Sequence, residues 1–100
     1  MALRPTPRRT LVVGEAIGQQ LRTWRKLRGL KAQVVADRAA ISRSTLTRLE
    51  KGDVHVGFVA VLNVAAALGI LDDLVKAFDP YETEYGRLRA DQQLPQRIRS

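Results

Sequence analysis

The sequence contains no cysteine and a single histidine, His55. That excludes disulfide staples, zinc–thiolate sites and thiol nucleophiles together, and it fits a reducing compartment. There is no histidine pair, no glycine-rich phosphate loop and no acidic pair set in an evident pocket. The neighbouring acids Asp72 and Asp73 are better explained as charges matched to the positive end of a helix. The expectation is therefore a protein that is not an enzyme, with no catalytic residues, no metal and no cofactor. No apolar run approaches the roughly 18 residues of a membrane span. The start, MALRPTPRRT, is charged but lacks the apolar stretch of a signal peptide after it. Together these absences predict a soluble, cytoplasmic protein with no membrane partner. At 100 residues the chain suits one domain with a single modest core.

What is abundant is positive charge. Seventeen Lys and Arg stand against ten Asp and Glu, a net of +7. The excess is uneven. Residues 1–30 hold seven basic against one acidic side chain, residues 31–60 five against three, and residues 61–100 five against six. A basic first 60 residues points to a polyanion partner, most often nucleic acid.

Periodicity organises the chain into helices. Residues 1–10, with two prolines and three arginines (Arg4, Arg8, Arg9), read as a flexible basic arm. In VVGEAIGQQLRTWRKLRG, Val13, Ile17, Leu21, Trp24 and Leu27 or Arg28 recur at helical spacing and predict a first helix with Trp24 in the core. Gly29 suits its left-handed end. Lys31 to Arg38, with Val34, Val35 and a small Ala36, predicts a short second helix. After Ala39, Ala40 and Ile41, Ser42 offers its hydroxyl to the free amides of a third. Leu46 and Leu49 seat that helix, and Gly52-Asp53 ends it. A fourth runs from about Phe58 to Leu68, with Phe58, Leu62, Ala65 and Leu68 toward the core, and a fifth spans about Leu71–Phe78. Residues 80–100 read as a polar tail in which Thr83 to Ala90 could form a helical turn or two.

Two helices joined by about three residues match a helix-turn-helix. In order and at the right spacing, RxxxGL (Arg25, Gly29, Leu30), VADRAAIS (Val35 to Ser42) and SRSTLTRLEKG make residues 13–78 resemble the Cro/C1-type, or XRE, repressors. The resemblance implies an all-α fold: a compact five-helix domain like that of lambda repressor over 11–79, between the arm and the tail. It implies a sequence-specific DNA-binding regulator with a recognition helix at about 42–50 in the major groove of double-stranded DNA. The family's base-reading positions fall on Arg43, Ser44 and Arg48, with Thr47 close by. Such residues are donors without blocking bulk, and an arginine there can bond guanine O6 and N7 together. Phosphate contacts are expected from Lys31, Gln33, Arg38, Thr45, Lys51 and His55, with Arg22 or Arg28 also on the rim. The family's pairing of a first-helix arginine with a third-helix glutamate falls on Arg25 and Glu50, a structural ion pair. The sequence departs from the family at Lys31-Ala32, where a hydroxyl and a glutamine are usual, and at Ala40, where glycine is usual.

No charge occurs between Phe58 and Ile70. A helix apolar all round is buried all round. Val59, Ala60, Asn63, Ala66 and Ala67 are therefore expected to face another chain, most simply in a homodimer on a near-palindromic operator. The tail DPYETEYGRLRADQQLPQRIRS also resembles that of HipB-like antitoxins. That alternative implies a HipA-like kinase partner and repression of the protein's own operon. A further alternative is a protein-interaction module without specific DNA binding.

Overall fold

The computed structural model describes residues 4–93. Regular structure among them is wholly helical: α1 (Arg8–Leu27), α2 (Ala32–Arg38), α3 (Arg43–Glu50), α4 (Phe58–Leu68), α5 (Leu71–Phe78) and α6 (Glu84–Gln93), with a 3-10 turn at Pro80–Glu82. The all-α expectation is met, but six helices replace the expected five. The chain divides into two compact units, residues 1–70 and 71–100. The fifth helix, expected in the same domain as the first four, groups with the tail.

The first unit holds the core. Leu21, Val35, Ala36, Ala39, Leu46, Leu49, Val64, Ala65, Leu68 and Ile70 are all buried. Helix α1 packs on α3 and α4, and α2 packs on α3 and α4. Fully burying a leucine such as Leu46 stabilises by about 1.5–3 kcal/mol.

Several expected core positions are corrected. On α1 only Leu21 of the apolar series is buried, and Val13, Ile17, Trp24 and Leu27 are exposed. Phe58 is 70% exposed and Val64 is buried in its stead. Helix α4 is so uniformly apolar that its periodicity carries little contrast, so spacing alone could not find its inner face.

The seam between α1 and the end of α3 leaves no room for side chains at three glycines. A Cβ at Gly18 would lie 2.5 Å from the Leu49 carbonyl oxygen and 2.8 Å from that of Glu50. One at Gly14 would strike Val54, and one at Gly52 would lie 2.5 Å from the Glu15 Cα. Helix α1 can approach this closely only with hydrogen at those positions.

All four helices of this unit end in the same way. The amides of Leu30, Ile41, Asp53 and Ile70 donate to the carbonyls of Arg25, Ala36, Arg48 and Ala65 at 2.9–3.0 Å. These six-to-one bonds are Schellman closures, and each needs a left-handed residue just before the donor. Three of those residues are glycines, Gly29, Gly52 and Gly69, but the fourth is Ala40 at φ +57°. A left-handed alanine costs on the order of 1–2 kcal/mol.

Helix α1 starts at Arg8, not after Thr10, so Arg8 and Arg9 belong to its first turn rather than to an arm. The amides of Thr10 and Leu11 donate to the Pro7 carbonyl. Proline and arginine content suggested an arm, yet arginine is a good helix former once the last proline is passed. Residues 1–3 of the expected arm lie outside the described residues.

None of residues 71–90 of the second unit is buried. Local hydrogen bonds shape it. The Asp79 carboxylate accepts the Tyr81 amide at 2.9 Å. The Thr83 hydroxyl donates to the Pro80 carbonyl at 2.6 Å and accepts the Gly86 amide at 2.9 Å, capping α6. Arg87 reaches back to the Tyr81 carbonyl at 2.6 Å. Residues 94–100, the basic finish of the tail, lie outside the described residues.

Candidate nucleic-acid interface

Helix α3 is the element on which the expected contacts depend. Its first turn is closed by Ser42, whose Oγ accepts the Thr45 amide at 3.0 Å and donates to the Thr45 hydroxyl at 2.8 Å. The Ser44 hydroxyl lies 3.3 Å from the same Oγ. Three hydroxyls therefore crowd the entry of the helix. Leu46 and Leu49 are buried beneath it.

The angle of α3 is fixed at its other end by Arg25 and Glu50. The Arg25 Nε donates to one carboxylate oxygen at 2.7 Å and Nη2 to the other at 3.0 Å, a two-pronged pair. Both side chains are largely covered, at 13% and 10% exposure. Nη1 also reaches the Leu30 carbonyl at 3.4 Å. The bond to Glu50 raises the Arg25 pKa above its ordinary value, against the opposing effect of burial. With the charges matched, neither group is available to DNA.

Arg43, Ser44, Thr47 and Arg48 are exposed along α3. Arg43 and Thr47 line a shallow hollow with Arg22, Ala32 and Lys51, floored by Arg25 and Glu50. The hollow thus gathers three cations, Arg22, Arg43 and Lys51, that make no ion pair among the described residues, over a neutralised base. The Thr47 hydroxyl donates to the Arg43 carbonyl at 3.1 Å. Its proton is committed, so outwardly it presents acceptor lone pairs and a methyl group.

Arg48 is placed differently. Its Nε donates to the Asp53 carboxylate at 2.8 Å, with 51% and 31% of the two side chains exposed. The Asp53 carboxylate also accepts the His55 amide at 2.8 Å. That amide bond first, and the Arg48 guanidinium second, hold the Asp53 carboxyl below its ordinary pKa. A depressed carboxyl favours the fold above its unfolded value of about 3.9, and that contribution fades as pH falls through the lower folded value. The pair therefore stays charged through the neutral range.

The expected phosphate contacts are scattered. Lys31 caps the start of α2 by position only, its side chain making no cap bond. Gln33 donates its amide to Asp37 at 2.9 Å, one turn along its own helix. Thr45 belongs to the Ser42 cap cluster, and Lys51 lines the hollow. Arg38 and His55 are exposed and outside that hollow. Arg28 lies over the Trp24 ring, 5.5 Å from its centre, so Trp24 sits at the surface beneath a cation instead of in the core.

The proposed partner face divides too. Val59 is 70% exposed, and Ala66 is exposed. Ala60 and Ala67 are half-buried. Asn63 turns inward, its amide donating to the Ala39 carbonyl at 3.2 Å. Asn63 thus ties α4 to the end of α2 within the chain. Sequence reading missed this link, the Gly14–Gly18 seam and the Asp53 partner of Arg48. The glycines at i and i+4 were the one available signal.

Among the described residues no three His, Asp or Glu side chains group to hold a metal ion. The family model for a helix-turn-helix domain matches residues 16–78. That is more than half of the chain, and it covers most of α1, all of α2 to α5 and every residue lining the hollow. The protein belongs to the helix-turn-helix family, a class of DNA-binding regulators. Comparison with curated proteins and with solved structures returned no match.

Proposed function

We propose that this protein is a sequence-specific transcriptional regulator of the Cro/C1 type, most simply a repressor, acting without catalysis in the cytoplasm. Helix α3 enters the major groove, and Arg43, Ser44, Thr47 and Arg48 read base edges. Arg22 and Lys51, flanking Arg43 in the hollow, contact phosphates and set the salt dependence rather than the sequence preference. The observation that carries this reading is the division of α3: Leu46, Leu49 and the Arg25–Glu50 pair hold its inner side, and the outer side is left to hydroxyls and guanidinium groups.

The protein acts as a homodimer through the apolar start of α4. Phe58 and Val59 are exposed there, beside an apolar groove formed with Ile17, Val54, Val56 and Val61. Two copies would place two α3 helices on half-sites about 34 Å apart, on a near-palindromic operator. A second reading, a HipB-like antitoxin, draws support from the exposed Leu71, Val75 and Phe78 of α5, an apolar face open to a protein partner such as a HipA-like kinase.

Selection of bound fragments from a genomic library tests the main reading. The expected result is a shared sequence with two-fold symmetry, and recovery of random fragments would refute it. Val59→Glu should convert dimers to monomers in sedimentation, and an unchanged dimer would exclude the α4 interface.

A further inference from the structure

We propose that Asp53 is a positioning residue that sets the sequence specificity of Arg48, an inference that rests on the base-reading role of α3. Asp53 is the third residue past α3 and is tied to Arg48 twice. Its amide donates to the Arg48 carbonyl at 3.0 Å, and its carboxylate accepts Arg48 Nε at 2.8 Å. The carboxylate cannot turn away freely, because its other oxygen accepts the His55 amide at 2.8 Å. The loop thus holds Arg48 at its main-chain carbonyl and, through the carboxylate, at its guanidinium.

So exposed an ion pair contributes little to stability. Its consequence is orientation. A guanidinium has five N–H donors in a rigid plane. Asp53 engages the one on Nε, and the two Nη groups make no other hydrogen bond among the described residues. Those two groups are the fork that matches guanine O6 and N7. The ordering of a long side chain, normally a cost of binding, is incurred in the free protein. The carboxylate also offsets the Arg48 charge, which weakens its attraction to any phosphate while leaving its directed donors intact. Both effects favour the correct base over DNA in general.

The test uses the full chain, its selected operator, single guanine-to-adenine variants of that operator, and a random duplex. Asp53→Ala should bind the random duplex more tightly and lose roughly tenfold in preference for the operator, with the loss confined to one guanine per half-site. Asp53→Asn keeps an oxygen for the His55 amide but removes the charge, and should lose preference similarly. If Asp53→Asn matches wild type, only the loop turn matters and the proposal fails. In an Arg48→Ala background, Asp53→Ala should change the preference by less than about twofold, since the two act as a unit. An equal loss in both backgrounds would overturn the proposal. A wild-type protein that prefers no duplex over random DNA would instead refute base reading by α3 itself.

Discussion

Residues 4–70 and 71–93 are both helical, yet they are held in opposite ways. The first unit buries ten apolar side chains, and the second buries none over residues 71–90. Short helices are marginal in water without tertiary packing. The first unit therefore owes its helices to contacts between them. The second depends on the Asp79 and Thr83 caps and on Arg87 reaching Tyr81. Helical content is thus no measure of where stability resides, and the candidate DNA surface lies on the stable unit.

The contrast can be broken most sharply in the core. Leu46→Ala should cost about 2–5 kcal/mol and be read as a large drop in melting temperature by circular dichroism. A loss below 1 kcal/mol would mean that the core is not the source of stability. Next, Gly18→Ala should cost about 1–3 kcal/mol, because its methyl group meets the carbonyls of Leu49 and Glu50 and not a yielding side chain. Urea denaturation measures it, and a neutral result would show that the seam can open. Glu50→Ala strands a largely covered Arg25 and should cost about 1.5–3 kcal/mol by the same measurement. Ala40→Gly should act in the opposite direction and by less. It relieves a left-handed alanine but frees the unfolded chain, for a net gain of about 0.5–1 kcal/mol. Smallest in global effect is Thr83→Val. It should speed amide exchange at Gly86 and in the first turn of α6 while leaving core amides unchanged, and slowed or unchanged exchange at Gly86 would show that the cap is dispensable.

Much of the first unit was legible as pattern. The hydroxyl at Ser42, the leucines at 46 and 49 and the glycines at 29, 52 and 69 each act through local rules of caps and helix faces. The α1 face was legible only at Leu21, because exposure of Val13, Ile17 and Trp24 depends on what lies opposite them. The inner face of α4 was hidden by its uniform composition. Asn63 read as part of an outer face because its partner, the Ala39 carbonyl, is 24 residues away. The candidate site shows the same division. The exposed residue types on α3 follow from its sequence, whereas the hollow brings Arg22 of α1 and Ala32 of α2 beside Arg43.

By itself, the sequence determined a helical protein with a basic first half and a short, capped third helix whose two faces differ in chemistry. Those properties follow from residues at most four or five apart, where covalent geometry dictates who meets whom. Only the tertiary structure decided that α1 closes on the end of α3 through Gly14 and Gly18, that Asn63 turns inward to the Ala39 carbonyl, and that Arg22 of α1 joins Arg43 over the hollow. Those outcomes depend on which helices touch and at what separation. Close packing of distant segments sets that, and no local pattern encodes it.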